Sequence, residues 1–182
     1  MWNIFYLTLL LLGSTLEADC YFQDVYWREY IPNQIPYDAF EALPGRYIGQ
    51  FVYKDNLLVG TIYPHSNTVV SEHYGQKNAK TNIKILCTMH TEKLYWEEVD
   101  FGIPQDTYMK DAVKGGYGED VESDVFIGKG LDISEWKIAK VVEVVHPGKG
   151  LWLWDSNGNA SRKYQFFILK YNSTAIDKSY TV

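Results

Sequence analysis

The densest run of ionisable side chains in the chain is Glu119, Asp120, Glu122 and Asp124, inside the stretch "KGGYGEDVESD" at Lys114–Asp124. Carboxylates at this spacing have three uses. They can stand on a solvated loop, coordinate calcium, or accept hydrogen bonds from the hydroxyls of a sugar. The full EF-hand spacing is absent, and at this level all three readings stay open. The four histidines, His65, His73, His90 and His146, form no HxH or HExxH pattern, and with two cysteines and no CxxC no metal site is expected. Gly128-Lys129-Gly130 and Gly148-Lys149-Gly150 are not phosphate-binding loops, since no helix follows them. There is no dinucleotide fingerprint and no Gly-x-Ser-x-Gly elbow. No cofactor and no catalytic residues are expected, and the chain does not read as an enzyme. Trp152 and Trp154 alternate along "LWLWD" and share one strand face, where they could stack on a sugar, although packing in a core is the plainer role.

The elements that must carry these residues read as strands. Aromatic residues make up 16% of the chain, and aromatics favour pleated, half-buried surfaces. Short runs rich in Val, Ile, Tyr, Phe and Trp are bounded by Gly, Pro, Asn or Asp. Helical periodicity is absent beyond the first residues. Those residues, "MWNIFYLTLLLL" at Met1–Leu12, form an apolar run too short to span a bilayer. With Leu16-x-Ala18 as a cleavage context, residues 1–18 read as a signal peptide and the protein as secreted and extracellular, with no membrane span. Cys20 and Cys87 then allow one disulfide in an oxidising compartment. Asn159-Ala160-Ser161 and Asn172-Ser173-Thr174 are N-glycosylation acceptors. The net charge of −6 argues against nucleic acid as a partner.

The chain also repeats itself. Tyr26-Trp27 matches Tyr95-Trp96, and Ile35-Pro36 matches Ile103-Pro104. "YIGQ" at Tyr47–Gln50 matches "FIGKG" at Phe126–Gly130, and Leu57–His65 matches Lys137–His146. Thr68–Gly75 matches Gly150–Gly158, and Ile83–Leu86 matches Phe166–Leu169. Six blocks in one order predict an all-β fold, a single compact pseudo-twofold domain built from two tandem repeats. The expected bounds are 21–88 and 94–171, with a C-terminal tail at 172–182. The second copy carries the insertion Lys114–Asp124 where the first has only "LPGR" at Leu43–Arg46.

These blocks resemble the DM-nine repeat family, also called natterin-like. The features are a Trp opening, an Ile-Pro, an Ala-Val-x-Gly-Gly turn followed by an acid, a "(Y/F)-(V/I)-G-(R/K)" strand and a segment ending in Lys-Val. In this chain they are Trp96, Ile103-Pro104, Ala112–Gly116, Phe126–Lys129 and Ile138–Val141. The first copy supplies Trp27, Ile35-Pro36 and Tyr47–Gly49. The resemblance implies a metal-independent lectin for mannose-type sugars, in which the turn acid and the lysine hydrogen-bond sugar hydroxyls. Lys140 fits the lysine, Glu119 or Asp120 fits the acid, and Lys129 takes the strand Arg/Lys position. The first copy has no acid in its turn and has Thr61 where the lysine belongs. The implied ligand is a glycan or microbial surface sugar, in innate recognition or a secretory fluid. One site per chain would gain avidity from a homodimer. The contrasting expectation is a non-catalytic structural or protein-interaction module.

Overall fold

The computed structural model describes residues 24–105, 107–144 and 148–174. They form an all-β domain whose strands belong to one continuous antiparallel hydrogen-bonded network. The first half supplies β1 (Val25–Glu29), β2 (Glu41–Leu43), β3 (Arg46–Tyr53), β4 (Asn56–Tyr63), β5 (Thr68–Glu72), β6 (Gln76–Ala79) and β7 (Lys84–Thr88). The second supplies β8 (Leu94–Asp100), β9 (Lys114–Gly118), β10 (Ser123–Asp132), β11 (Glu135–Val142), β12 (Gly150–Trp154), β13 (Ala160–Lys163) and β14 (Gln165–Tyr171). Among the described residues the helical elements are two single 3-10 turns, at Pro64–Ser66 and Thr91–Lys93. Among the described residues no helix is long and apolar enough to cross a membrane.

The pairing scheme occurs twice. β1 pairs β7, which pairs β3, and β3, β4, β5 and β6 follow as successive hairpins. In the same way β8 pairs β14, which pairs β10, and β10 to β13 follow in order. The registers agree residue by residue. Trp27 stands opposite Leu86 and Trp96 opposite Leu169. Gly49 stands between Gly60 and Ile85, as Gly128 stands between Ala139 and Ile168. A Cβ on Gly49 would lie 2.6 Å from the Ile62 side chain, and one on Gly128 would lie 2.5 Å from Val141. Each glycine therefore permits a close approach that no other residue allows.

Each half has a buried cluster largely of its own, Phe51, Ile62 and Ile85 among the first and Val141, Leu153 and Ile168 among the second, and a third is shared. This third cluster joins Ile48, Val59 and Leu86 of the first half to Leu94, Ile127, Ile138 and Leu169 of the second. The shared cluster ties the halves together through burial of apolar surface from both. Thr61 and Gln50 make buried polar contacts between the halves. The Thr61 hydroxyl donates to the Ile138 carbonyl (2.9 Å) and accepts from the Ile138 amide (2.8 Å). Gln50 donates through Nε2 to the Gly115 carbonyl (2.8 Å).

Candidate functional site

The site is built by the hairpin that distinguishes the second half from the first. β9 and β10 extend past Gly116↔Val125 through Tyr117, Gly118 and a tip at Glu119–Glu122, where Glu122 takes a left-handed backbone (φ 47°). The first half turns directly from Leu43 to Arg46 instead. The extended hairpin leans on β4. Leu57 pairs with Tyr117, and the Glu119 amide donates to Asn56 Oδ1 (3.0 Å). Gly116 makes this possible, because a Cβ there would lie 2.0 Å from the Leu57 carbonyl oxygen. The paired glycines of the motif are thus needed to bring one backbone onto another.

Between this hairpin and β4, β5, β11 and β12 lies a small cleft of about 110 Å³ that opens to solvent. That is smaller than the cavities that enclose drug-sized ligands. Leu58, Val125 and Val142 provide apolar lining, and Tyr74, Tyr117 and Trp152 provide aromatic lining. Three charges reach it, on Lys140, Glu72 and Asp120. Lys140 Nζ stands 3.2 Å from Glu72 Oε2, with side-chain exposures of 11% and 3%. Glu72 Oε1 also accepts the Gly75 amide at 3.1 Å. Ion pairs this dry have lost most of their hydration, and their attraction largely offsets that loss. What remains is a fixed donor beside fixed acceptors. Asp120 lies across the mouth beside the Tyr74 hydroxyl, whose pKa its negative charge raises.

Behind the ion pair lies His73. Its residue is 7% exposed, and Nδ1 is buried without a hydrogen-bond partner. The ring packs edge-on against Tyr53 (5.6 Å) and Tyr74 (4.9 Å). Burial lowers its pKa first and the Lys140 charge second, while Asp120 and Glu72 oppose them. The unfolded chain binds this proton more readily than the folded one. His73 therefore costs nothing well above the ordinary value of 6.5 and subtracts stability as pH falls through and below it. Urea midpoints measured between pH 7.5 and 5 should show this acid-side loss. His73→Phe should remove that part of the slope, and an unchanged slope would show that other groups carry it.

The matching place, beside the short turn of the first half, is an open groove lined by Leu43, Pro44, Arg46, Ser134, Glu135 and Trp136, with its interior closed by polar contacts. β-register equates Thr61 with Lys140, Leu58 with Lys137 and Glu72 with Trp154. Thr61 is fully buried and engaged with Ile138. Lys137 Nζ is closed in by Asp132 (2.9 Å) and the Trp154 carbonyl (2.6 Å). Arg46 reaches Glu135 (3.0 Å) and donates to the Trp136 carbonyl (2.7 Å), and Tyr63 donates to Glu135 (3.1 Å). The buried Lys137–Asp132 pair occupies the interior of this groove, where the cleft on the other side is open.

Of the residues singled out by sequence, Lys140 and Asp120 share the cleft and two others do not. Glu119 is exposed at the hairpin tip and engages Asn56 only through its backbone amide. Lys129 projects elsewhere, with Nζ 4.4 Å from the Trp96 ring centre, 5.6 Å from Phe167 and 6.0 Å from Trp136. Burial there lowers its pKa. Asp124 pairs with Lys114 at 2.5 Å. The tryptophans divide: Trp152 lines the cleft, whereas Trp154 is buried against the core and Lys137. The repeat motif does not point to Glu72, because its counterpart in the second half is Trp154. The signal was a carboxylate ending the apolar strand "TVVSE", which must find a cation when buried.

The expected disulfide is not present among the described residues. Cys87 is a free, fully buried thiol in β7, pushed up to about 12 by burial and by neighbouring Asp38. Cys20, the signal peptide at residues 1–18 and His146 lie outside the described residues. Asn159 and Asn172 are both exposed, Asn159 in the turn before β13 and Asn172 just after β14. Among the described residues no group of three or more His, Cys, Asp or Glu is placed to hold a metal ion.

The glycine-assisted hairpin, the repeated pairing scheme and the Lys-containing β11 strand describe a protein class that comparison identifies directly. The family model for the DM9 repeat matches residues 44–150, more than half of the chain, and the chain belongs to the DM9 repeat family. No curated protein matches it.

Proposed function

We propose that this protein is a secreted, metal-independent carbohydrate-recognition protein, lectin-like towards mannose-type sugars, in innate recognition or a secretory fluid. The DM9 family membership is consistent with a carbohydrate-binding module. The observation that carries the reading is the Lys140–Glu72 pair at 3.2 Å, with Asp120, in an open cleft walled by Tyr74, Tyr117 and Trp152. Adjacent sugar hydroxyls are both donors and acceptors. Lys140 donates to one, and Glu72 or Asp120 accepts from its neighbour. Hydrogen bonds to charged groups are the stronger kind. The aromatic walls cover the apolar C–H face of a ring. A single shallow site of this type implies binding near the millimolar range, about −4 kcal/mol. Assembly as a homodimer would supply the avidity that one site lacks.

A glycan array probed with the mature chain tests the proposal. Mannose-type glycans are expected to bind, and Lys140→Ala is expected to reduce the signal at least tenfold. No signal above background, or equal binding by the variant, would remove the proposal. The alternative, a structural or interaction module, is favoured by the exposure of Tyr37 and Tyr74, 83% and 74%, which suits tyrosine crosslinking. Sugar-independent assembly with dityrosine fluorescence would support that alternative.

A further inference from the structure

We infer that the cleft selects sugars bearing a free ammonium group, deacetylated hexosamines, over neutral hexoses and against acidic sugars. This rests on the reading of the cleft as a sugar site. Three charged groups line it, two carboxylates and one ammonium. Lys140 and Glu72 satisfy each other at 3.2 Å. Asp120 is therefore the unmatched charge, and among the described residues it has no ion-pair partner. Its neighbour is a tyrosine hydroxyl, that of Tyr74. The nearby cations are committed elsewhere. Lys77 donates to the Tyr74 carbonyl at 3.4 Å and lies 5.7 Å from the Tyr53 ring centre. Arg162 lies 5.5 Å from the Trp152 ring centre and donates to the Tyr164 hydroxyl at 2.5 Å.

The mouth of the cleft thus combines an unpaired carboxylate with the largely exposed rings of Tyr74 and Tyr117, which are 74% and 42% exposed. A carboxylate beside electron-rich ring faces is the chemistry that holds a primary ammonium. The ammonium would donate to Asp120 and lie against a tyrosine face, while the ring hydroxyls engage Lys140 and Glu72. N-acetylation would remove the charge. A uronate would meet two carboxylates, in a chain whose net charge is already −6.

The test is an NMR shift titration at pH 7 with four monosaccharides: methyl mannoside, its 2-amino-2-deoxy analogue, the N-acetyl form of that analogue, and methyl mannuronate. Monosaccharides avoid the nonspecific attraction of a polycation. The amino sugar should bind about tenfold tighter than methyl mannoside, in line with one charged hydrogen bond. The N-acetyl form should lose that gain, and the uronate should bind least. Asp120→Asn keeps an acceptor but not the charge, and should bring the amino sugar down to the affinity that methyl mannoside shows for the same variant. Equal affinity for amino and neutral sugars would overturn the inference and leave the sugar reading standing. A preference that persists in Asp120→Asn would also overturn it, as diffuse attraction. Absence of binding by all four would overturn both.

Discussion

Lys137→Ala should be among the most damaging single substitutions in the protein, lowering stability by about 3–5 kcal/mol. Lys137 is 2% exposed and Asp132 is 9% exposed. The substitution leaves the Asp132 carboxylate buried without its cation and the Trp154 carbonyl without its donor. It also removes the cation 5.0 Å from the Trp154 ring centre. Replacing the pair together by apolar residues, Lys137→Met with Asp132→Leu, should recover most of the loss, because a matched apolar pair leaves no orphaned charge. Chemical denaturation of the three proteins checks this. A loss below about 1 kcal/mol for Lys137→Ala would mean that water reaches the pair. Sugar binding by the double variant should equal that of the parent, since this network lies in the matching groove and not in the cleft.

Gly116→Ala should damage structure and binding together. The new Cβ would fall 2.0 Å from the Leu57 carbonyl oxygen, a contact with backbone that no side-chain rotation relieves. β9 must then move off β4, at a cost of about 3 kcal/mol. That shift carries Tyr117 and Asp120 away from Lys140, so sugar binding should be lost even at temperatures where the variant remains folded. Gly45→Ala is the control. It strains a left-handed position (φ 65°) in the short turn of the first half, with nothing within 4 Å of the new Cβ. It should cost about 1 kcal/mol and leave binding intact. If Gly116→Ala bound sugar like the parent, the hairpin would not be a wall of the site.

The fold was legible because strand motifs are local. Tyr26-Trp27 and Tyr95-Trp96 name the same place in two strands, and the register sets each tryptophan against a leucine. The equivalence of Thr61 and Lys140 was also legible, since both follow from one alignment of hairpins. What was not legible depends on contacts between the halves. Glu72 closes on Lys140 only because β5 of the first half is carried against β11 of the second. The sequence suggested one acid–lysine pair within the second copy, whereas one carboxylate comes from each. Lys129 occupies the motif position expected of it, but the cluster of Trp96, Trp136 and Phe167 that receives it is assembled from β8, β11 and β14. Cysteine count suggested a bridge, yet the position of Cys87 in a central strand, fully buried, was not visible in the count.

Sugar binding in the cleft is tested most directly by a ¹⁵N-resolved NMR titration of residues 19–182 with a mannose disaccharide. Shift changes should concentrate at Glu72–Tyr74, Tyr117–Val121, Lys140 and the Trp152 indole. The region around Arg46, Glu135 and Lys137 should stay still. Changes centred on that region, or on Trp96 and Lys129, would place the sugar outside the cleft.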